Sequence, residues 1–250
     1  MHPDIKLIVL DMDGTLLGRN RLISEQNLQT IAMARRSGIE VTVATGRPYG
    51  KVVRYLDELA LSAPLITSNG CELWDIGEKK LLERTVMTAE DIHLLRGIAK
   101  ELELDHHCYT SDGDFPGLQF PDRPEELVWL MFLFRCGEEN RLRTLRDRLI
   151  GLNRFEACMS DRTKLDVNPK GVSKASAVRK LCRELGFEPH QVAAIGDGMN
   201  DADLMRWAGI GIAMDNAMED VKDAADYVTE DHDEHGVASA IERLLRRQWK

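Results

Sequence analysis

The sequence has few cysteines, and their spacing excludes a disulfide framework and a cysteine-based metal site. The five cysteines are odd in number, widely spaced and form no Cys-x-x-Cys pair. This usage is typical of reduced thiols buried in a cytosolic protein, so we expect a cytoplasmic location. The seven histidines offer no metal spacing beyond His232 and His235, which stand in an acidic, turn-like stretch and are expected at the surface.

The chain also lacks an apolar run long enough to span a membrane and a basic-then-apolar signal layout at its N-terminus. It has no surplus of positive charge, since 33 Lys and Arg face 42 Asp and Glu. Binding a phosphate backbone requires clustered Lys and Arg, so we expect no nucleic-acid partner. The basic cluster near the C-terminus is expected to be a solvated helix face favoured by the helix dipole; it consists of Arg243, Arg246, Arg247 and Lys250. We expect a monomer or weak homo-oligomer that binds a small molecule.

The chain does contain an apolar run that ends in two carboxylates. Residues 7–10 are Leu-Ile-Val-Leu, a pattern typical of a strand buried on both faces of a parallel sheet, and Asp-Met-Asp-Gly-Thr follows. Open α/β sheets bind ligands at the carboxyl ends of such strands. Asp11 and Asp13 are two residues apart and therefore lie on one side of an extended segment. Two like charges this close need a cation between them, or one must hold a proton.

Two other interpretations compete for this segment. Asp-Gly after an apolar strand is also an ordinary turn signal, and that alternative stays open for these residues alone. A calcium loop of the EF-hand kind that started at Asp11 would need Gly at its sixth position and a carboxylate at its twelfth. The sequence has Leu16 and Leu22 at those positions, which excludes a calcium loop.

Strand and helix patterns alternate on both sides of a differently patterned middle segment. Beyond the first strand we predict strands at 39–44, 65–67, 192–195, 210–214 and 227–229, and helices at 25–36, 49–59, 173–185, 200–208, 218–224 and 237–248. Ser24 is the expected N-cap of the first helix and Gly38 its stop. This alternation predicts an α/β fold with a doubly wound, Rossmann-like parallel sheet.

The middle segment has the pattern of an α+β module with mostly hairpin links. We predict an antiparallel ribbon at 72–86, helices at 88–103 and 138–150, strands at 106–110, 127–135, 155–160 and 164–167, and a loop at 118–124. The chain therefore leaves the first domain once and returns once. The predicted division is a core domain of residues 1–79 and 170–250 with an inserted domain of residues 80–169.

Further polar residues stand at predicted strand ends and helix starts. Thr45 follows a strand and precedes a helix, where a hydroxyl and free backbone N–H groups can hold an anion, although a simple N-cap is compatible. Lys174 stands in the first turn of its helix, where the dipole opposes a cation, so it points to solvent or meets an anion. Asp197 is a third carboxylate at a strand end, suited to a hard cation. Asn200 and Asp201 open the next helix, where N-capping is the alternative.

These residues together resemble the four motifs of the haloacid dehalogenase (HAD) superfamily phosphatases. The motifs are D-x-D-G-T from Asp11, the strand-end Thr45, Lys174, and G-D-x-x-N-D from Gly196. The insertion between Thr45 and Lys174 has the position of a C2-type cap domain. With N-P-K-G-V-S-K at 168–174 and A-M-D-N-A at 213–217, the chain is similar to the Cof-like type IIB hydrolases. Asp215 departs from that pattern, where such proteins usually carry Gly.

The resemblance implies a role for each motif residue. Asp11 would attack phosphorus and form an aspartyl-phosphate, and Asp13 would protonate the leaving oxygen and then activate water. Mg²⁺ would be held by the Asp11 carboxylate, the Asp13 backbone carbonyl and Asp197. Asp201 would act indirectly, by orienting Lys174 or metal-bound water. The phosphoryl oxygens would be held by Thr45, Gly46, Lys174 and Asn200.

The resemblance implies a small phosphate ester such as a sugar phosphate, with a cap that contacts the leaving group. The candidates for that contact are Arg47, Asn69, His106, His107, Tyr109 and Arg162. A phosphotransferase or mutase, and a regulator that binds a phospho-ligand without turnover, are the alternative functions. A dinucleotide site is excluded, because Asp201 stands where the third Gly of G-x-G-x-x-G should be.

Overall fold

A computed structural model describes residues 4–117 and 119–246. Its strands are β1 (Leu7–Leu10), β2 (Glu40–Val43), β3 (Leu65–Thr67), β4 (Glu72–Asp75), β5 (Lys80–Arg84), β6 (Asp105–Thr110), β7 (Asp114–Pro116), β8 (Trp129–Arg135), β9 (Phe155–Asp161), β10 (Lys164–Pro169), β11 (Val192–Gly196), β12 (Ile210–Ala213) and β13 (Tyr227–Val228). Its helices are α1 (Glu25–Arg36), α2 (Tyr49–Val52), α3 (Leu56–Leu59), α4 (Ala89–Glu101), α5 (Glu139–Gly151), α6 (Lys174–Leu185), α7 (Met199–Trp207), α8 (Glu219–Lys222) and α9 (Gly236–Arg246).

The first sheet is parallel and has the strand order β13-β12-β11-β1-β2. The central strand β1 is buried on both faces, because Ile8 and Leu10 enter one apolar cluster and Leu7 and Val9 enter another. Helices α1 and α9 contribute to the first cluster, and α6 and α7 contribute to the second. The predicted doubly wound α/β core is thereby confirmed.

Local sequence explains most helix ends in this core. The hydroxyl of Ser24 accepts a hydrogen bond from the Asn27 amide at the start of α1. Ser173 caps α6, and Gly186 ends that helix with a φ of 71°, a left-handed conformation that glycine adopts without strain.

One predicted helix of the core is wrong. Residues 49–59 form α2, a 3₁₀ turn at Val53–Tyr55 and α3 instead of one helix. The adjacent β-branched residues Val52 and Val53 weaken helix formation at the break. Tyr55 turns inward there, and its hydroxyl donates to the carbonyl oxygen of Arg21 at 3.1 Å. Tertiary contacts thus override the helical period.

A second sheet is antiparallel and has the order β7-β6-β8-β10-β9. Helices α4 and α5 pack on one of its faces around Leu95, Leu142 and Phe132, which confirms the α+β character predicted for this segment. The structure adds two elements that were not predicted, namely β7 and a 3₁₀ turn at Pro124–Glu126. Leu118, in the predicted loop at 118–124, lies outside the described residues.

A third sheet has three strands, β3, β4 and β5, which follow β2 and precede β6 in the chain. A parallel bridge between Ala44 and Ile66 joins it to the end of β2. Because β5 pairs with β4, the predicted domain boundary near residue 80 falls inside this hairpin, and the division into two domains stays a prediction. Gln248, the predicted end of the last helix, lies outside the described residues, as do Arg247 and Lys250. No helix of the described part is long and apolar enough to cross a bilayer.

Candidate active site

The carboxyl ends of β1 and β11 bring two acidic motifs into contact. The Thr15 hydroxyl donates to the Asp197 Oδ1 at 2.7 Å. Gly14 has a φ of 79°, and a Cβ built there would lie 2.4 Å from the Asp197 carboxylate. Only glycine therefore allows the loop after β1 to pass this close to Asp197. The buried side chain of Asp11 lies at the same edge of the sheet.

Lys174 is buried and joins two carboxylates. Its Nζ donates to the Asp11 Oδ1 at 2.6 Å and to the Asp201 Oδ1 at 2.7 Å. Burial by itself lowers the pKa of Lys174, but the charges of Asp11 and Asp201 outweigh burial and raise it, so this lysine is charged. Of the two placements that the sequence left open, burial excludes the one in solvent, and contact with a bound anion stays a prediction. The anions that Lys174 contacts belong to the protein.

Asp201 lies behind the lysine and takes no part in the cleft wall. Its Oδ2 accepts a hydrogen bond from the Gly198 amide at 3.0 Å. The N-cap of α7 is Gly198 itself, so the alternative of an N-cap role for Asn200 and Asp201 is wrong, although Asp201 stabilises the first turn from inside the helix. A Cβ on Gly196 would lie 2.5 Å from the Asp201 carboxyl carbon. Glycine at 196 therefore makes room for Asp201 to reach Lys174.

The three carboxylates Asp11, Asp197 and Asp201 form one cluster, in which oxygens lie within 4.8 Å of one another. Only Lys174 neutralises them, because it is the one cation that the described residues place in hydrogen-bond contact with the cluster. Burial raises the pKa of Asp11, and burial followed by the charge of Asp201 raises the pKa of Asp197 to about 7. Both shifts mean that ionising these crowded, buried carboxylates is unfavourable with Lys174 as their one cation. A divalent cation such as Mg²⁺ would supply the missing positive charge to their hard oxygen donors.

Asp13 differs from Asp11, because its side chain is 59% exposed and lies outside that cluster. Arg47 donates to both of its carboxylate oxygens, from Nε at 2.6 Å and from Nη2 at 2.5 Å. The hydrogen bond to Asp13 raises the pKa of Arg47. Asp13 thus lies at the cleft surface with both of its oxygens held by Arg47.

Thr45, Gly46 and Asn200 meet around Asn69. Thr45 is buried, its hydroxyl accepts from the Arg47 amide at 3.2 Å, and its carbonyl oxygen accepts from the Asn69 amide at 2.9 Å. Asn200 donates from Nδ2 to the Asn69 Oδ1 at 3.1 Å. A Cβ on Gly46 would stand 3.2 Å from that same oxygen. The sequence named Asn69 only as a contact for the leaving group, whereas the structure makes it a neighbour of the phosphoryl-site candidates.

These residues line a cleft of about 800 Å³. Its floor includes Asp11, Asp13, Thr45, Gly46, Lys174, Asp197 and Asn200. Its roof is the face of the antiparallel sheet that α4 and α5 leave open, with alternate residues directed to the cleft and to the apolar cluster. The roof residues are Tyr109, Met131, Leu133, Arg135, Ser160, Asp161, Lys164 and Asp166.

Of the six candidates for leaving-group contact, Arg47 and Tyr109 line the cleft, and the other four, Asn69 among them, do not. His106 is buried on the face of the sheet that packs against the apolar cluster, where it stacks on Phe132. His107 contacts Asp114 at 2.6 Å, and Arg162 is exposed beside Glu139 at 3.9 Å. Strand alternation at 105–110 could have excluded His106, because apolar Cys108 shares its face.

Sequence reasoning missed Asp166 and Arg135, since it assigned no register to the strands that carry them. Asp215, the departure from the family pattern, is exposed and contacts Lys222 at 3.3 Å, away from the cleft. Its neighbour Asn216 does reach the site, because Nδ2 donates to the Gly14 carbonyl oxygen at 2.8 Å. All five cysteines are free.

A family model described as haloacid dehalogenase-like hydrolase matches residues 8–116 and 120–241. The chain is 36% identical over 246 residues to 5-amino-6-(5-phospho-D-ribitylamino)uracil phosphatase YcsE of Bacillus subtilis, covering 98% of this chain and 96% of that protein. It is 30% identical over 236 residues to the HMP-PP phosphatase of Escherichia coli O8, covering 87% and 86%. A haloacid dehalogenase-like hydrolase from Bacteroides thetaiotaomicron has a similar structure, with a TM-score of 0.76, 30% identity and coverage of 96% and 99%.

Proposed function

This chain belongs to the haloacid dehalogenase-like hydrolases of the Cof-like IIB type and is a phosphoric monoester hydrolase, and we propose that it acts through a Mg²⁺-dependent aspartyl-phosphate mechanism. The single observation that carries the mechanism is the contact of Lys174 with Asp11. Lys174 binds only Oδ1 of that carboxylate, and no described residue donates a hydrogen bond to Oδ2. Asp11 therefore presents an oxygen with free lone pairs at the floor of the cleft, and bound Mg²⁺ together with Lys174 would favour its ionised form.

The first step is attack by the Asp11 Oδ2 on the phosphorus of the ester. A new P–O bond forms to Asp11 as the ester P–O bond breaks, and Asp13 gives a proton to the leaving oxygen. In the second step a water attacks the same phosphorus and loses a proton to Asp13. The P–O bond to Asp11 breaks, so inorganic phosphate is released and Asp11 is restored. Asp13 thus acts as the acid in the first displacement and as the base in the second.

The remaining floor residues hold the phosphoryl group during both displacements. Its negative charge is spread over three oxygens, so fixed donors around it stabilise the transition state. Lys174 supplies a charged donor, and Thr45, Gly46 and Asn200 supply a hydroxyl, a backbone N–H and an amide. Asp201 fixes the ammonium group of Lys174 from behind.

Mg²⁺ fits the carboxylates of Asp11 and Asp197 and the backbone carbonyl of Asp13. Asp201 is satisfied by Lys174 and the Gly198 amide, so we assign it an indirect role. When bound, Mg²⁺ would neutralise the charge that the phosphoryl group brings to a site already rich in carboxylates.

The substrate is proposed to be a small phosphate ester whose leaving group contacts the roof of the cleft. Tyr109, Met131 and Leu133 offer an apolar surface there, and Arg135 and Lys164 offer cations. Such a roof suits a leaving group with both a flat or apolar part and polar groups. Phosphorylated ribitylaminouracil, named for the Bacillus subtilis relative, has that character, whereas a sugar phosphate would use the polar groups of the roof alone. We propose the inserted segment 80–169 as the cap that recognises it, and the cytoplasm as the location.

The test is hydrolysis of p-nitrophenyl phosphate with and without chelator, combined with acid-quenched single turnover of a labelled ester. We expect activity to vanish with chelator and to return with Mg²⁺, and label to appear on the protein in the wild type and not in Asp11→Asn. Asp197→Asn should need more Mg²⁺, whereas the control Asp215→Asn, an exposed carboxylate outside the cleft, should match wild type. Full activity without metal, or turnover by Asp11→Asn, would overturn the mechanism.

A further inference from the structure

Hydrogen bonds through Asn69 link the antiparallel sheet to Asn200. The Asn69 Nδ2 donates to the Asp166 Oδ2 at 2.9 Å and, more weakly, to the Asn168 Oδ1 at 3.4 Å. On its other side the Asn69 Oδ1 accepts from the Asn200 Nδ2 at 3.1 Å. Asn69, Asp166 and Asn168 are all at least 94% buried, so water does not compete for these groups.

The donor-to-acceptor direction of this series of hydrogen bonds is fixed at the end formed by Asn168. A backbone carbonyl only accepts hydrogen bonds, and an ionised carboxylate also only accepts, although burial raises the pKa of Asp166. Asn168 donates from Nδ2 to the Ser68 carbonyl oxygen at 3.0 Å and to the Cys71 sulfur at 3.2 Å, so its own oxygen faces Asn69. The amide nitrogen of Asn69 therefore lies between two oxygens. The reversed amide would place oxygen against oxygen in a buried site, which is costly.

The orientation of the Asn69 amide also fixes the orientation of the Asn200 amide. Because the oxygen of Asn69 faces Asn200, the latter must turn its amide nitrogen toward it. An amide nitrogen carries two hydrogens, so one remains for a second acceptor. A reversed Asn200 would instead offer its oxygen, which repels the oxygens of a phosphoryl group. The orientation of Asn200 thus decides whether it attracts or repels that group.

We propose that Asp166 is a positioning residue that acts through Asn69 to hold Asn200 with its second side-chain N–H available for a phosphoryl oxygen. The proposal rests on the phosphoryl-binding role given to Asn200 under the proposed function. Asp166 belongs to β10 of the antiparallel sheet, whereas Asn200 belongs to α7 beside the parallel sheet. Correct seating of one sheet on the other is therefore a condition for a competent phosphoryl site.

A double-mutant cycle separates positioning from simple structural support. The variants are Asp166→Asn, Asn200→Ala and the two combined, and the probe is inorganic phosphate in the presence of Mg²⁺, measured by calorimetry. Asparagine at 166 keeps the shape but can face Asn69 with either end, so we expect about tenfold weaker phosphate binding. In the Asn200→Ala background the same change should cause no further loss, since the residue it orients is gone.

Two further variants complete the experiment. Asp105→Asn removes an exposed carboxylate from the same sheet outside the cleft, and it should bind phosphate as wild type does. Asn69→Gly deletes the intervening amide at a residue with a φ of 56°, which glycine tolerates, and should reproduce the loss and its dependence on Asn200. It carries the test if Asp166→Asn fails to fold, and thermal midpoints of all variants verify folding.

The outcomes distinguish this proposal from the proposed function. If Asn200→Ala weakens phosphate binding but Asp166→Asn and Asn69→Gly do not, the positioning role is wrong while the role of Asn200 stands. Losses that add fully in the double variant would also overturn it, because they would show a general structural effect. If Asn200→Ala itself leaves phosphate binding unchanged, the phosphoryl-binding role of Asn200 is wrong, and the positioning role falls with it.

Discussion

Arg47 holds the Asp13 carboxylate at the cleft rim through two hydrogen bonds of 2.5 and 2.6 Å, while the Asp11 carboxylate lies buried against Lys174. Two acidic residues that are two positions apart in the sequence thus have different electrostatic partners. One is a guanidinium at an exposed edge, and the other is a buried ammonium shared with Asp201. This difference is the physical basis for giving them different roles.

The first prediction separates these two residues by substitution. Asp11→Asn should abolish turnover, because no other described carboxylate occupies its place against Lys174. Asp13→Asn should lower kcat by about 10²–10⁴, the usual contribution of a general acid and base, with Mg²⁺ affinity largely kept. Steady-state kinetics with Mg²⁺ titration measures both quantities. If Asp13→Asn lost Mg²⁺ affinity as completely as Asp197→Asn, its assigned role would be wrong.

The second prediction concerns the stability of the buried ion cluster. Lys174→Met should lower the free energy of unfolding by about 3–5 kcal/mol, because it leaves Asp11 and Asp201 buried without their cation. Urea denaturation of the metal-free protein measures the change. Lys222→Met is the matched control, since the partners of that lysine are exposed and its removal should matter far less. Equal midpoints for Lys174→Met and wild type would contradict the ionised cluster.

The third prediction assigns leaving-group specificity to the roof of the cleft. Tyr109→Ala and Arg135→Ala should change the order of preference among phosphate esters, with little effect on a minimal ester. Arg162→Ala, which removes a side chain outside the cleft, should leave the order as in wild type. A panel of esters that includes a minimal one provides the measurement. If both roof variants lowered every rate by one common factor, the roof would support the fold without selecting substrates.

The fourth prediction is a pH dependence of stability that comes from His106. Burial lowers the pKa of His106, and its Nε2 is buried without a partner among the described residues. A base whose folded pKa is lowered stabilises the fold above its unfolded pKa of about 6.5, and that stability is lost as the pH falls. His106→Phe should therefore flatten the fall in unfolding free energy below pH 6.5.

Denaturant unfolding at several pH values gives the slope of the unfolding free energy against pH. A packing change in the variant shifts the whole curve and leaves this slope unaffected. His93→Phe makes the same replacement at an exposed position of α4 and should keep the wild-type slope. Parallel curves for His106→Phe and wild type would show that another group causes the acid sensitivity.

Local sequence determined the elements whose signals are short in range. The apolar run at 7–10 had to be a buried strand, and Ser24, Ser173 and Gly186 set helix ends through hydrogen bonds within a few residues. The resemblance of the motifs gave the family, because residue types in a fixed order are visible without coordinates. The break after Val52 was not predicted, since it depends on Tyr55 contacting Arg21 from a distant loop.

Tertiary structure decided which side chains face each other. Nothing in the sequence placed Arg47 on Asp13 or Asp166 on Asn69, because these contacts depend on strand register and on how two sheets pack. His106 and Tyr109 looked equivalent as polar residues of one segment. They are three positions apart in a strand and therefore lie on opposite faces, His106 toward an apolar cluster and Tyr109 toward the cleft. A hydrogen bond needs its two atoms within about 3 Å, and only the packed fold fixes distances of that size.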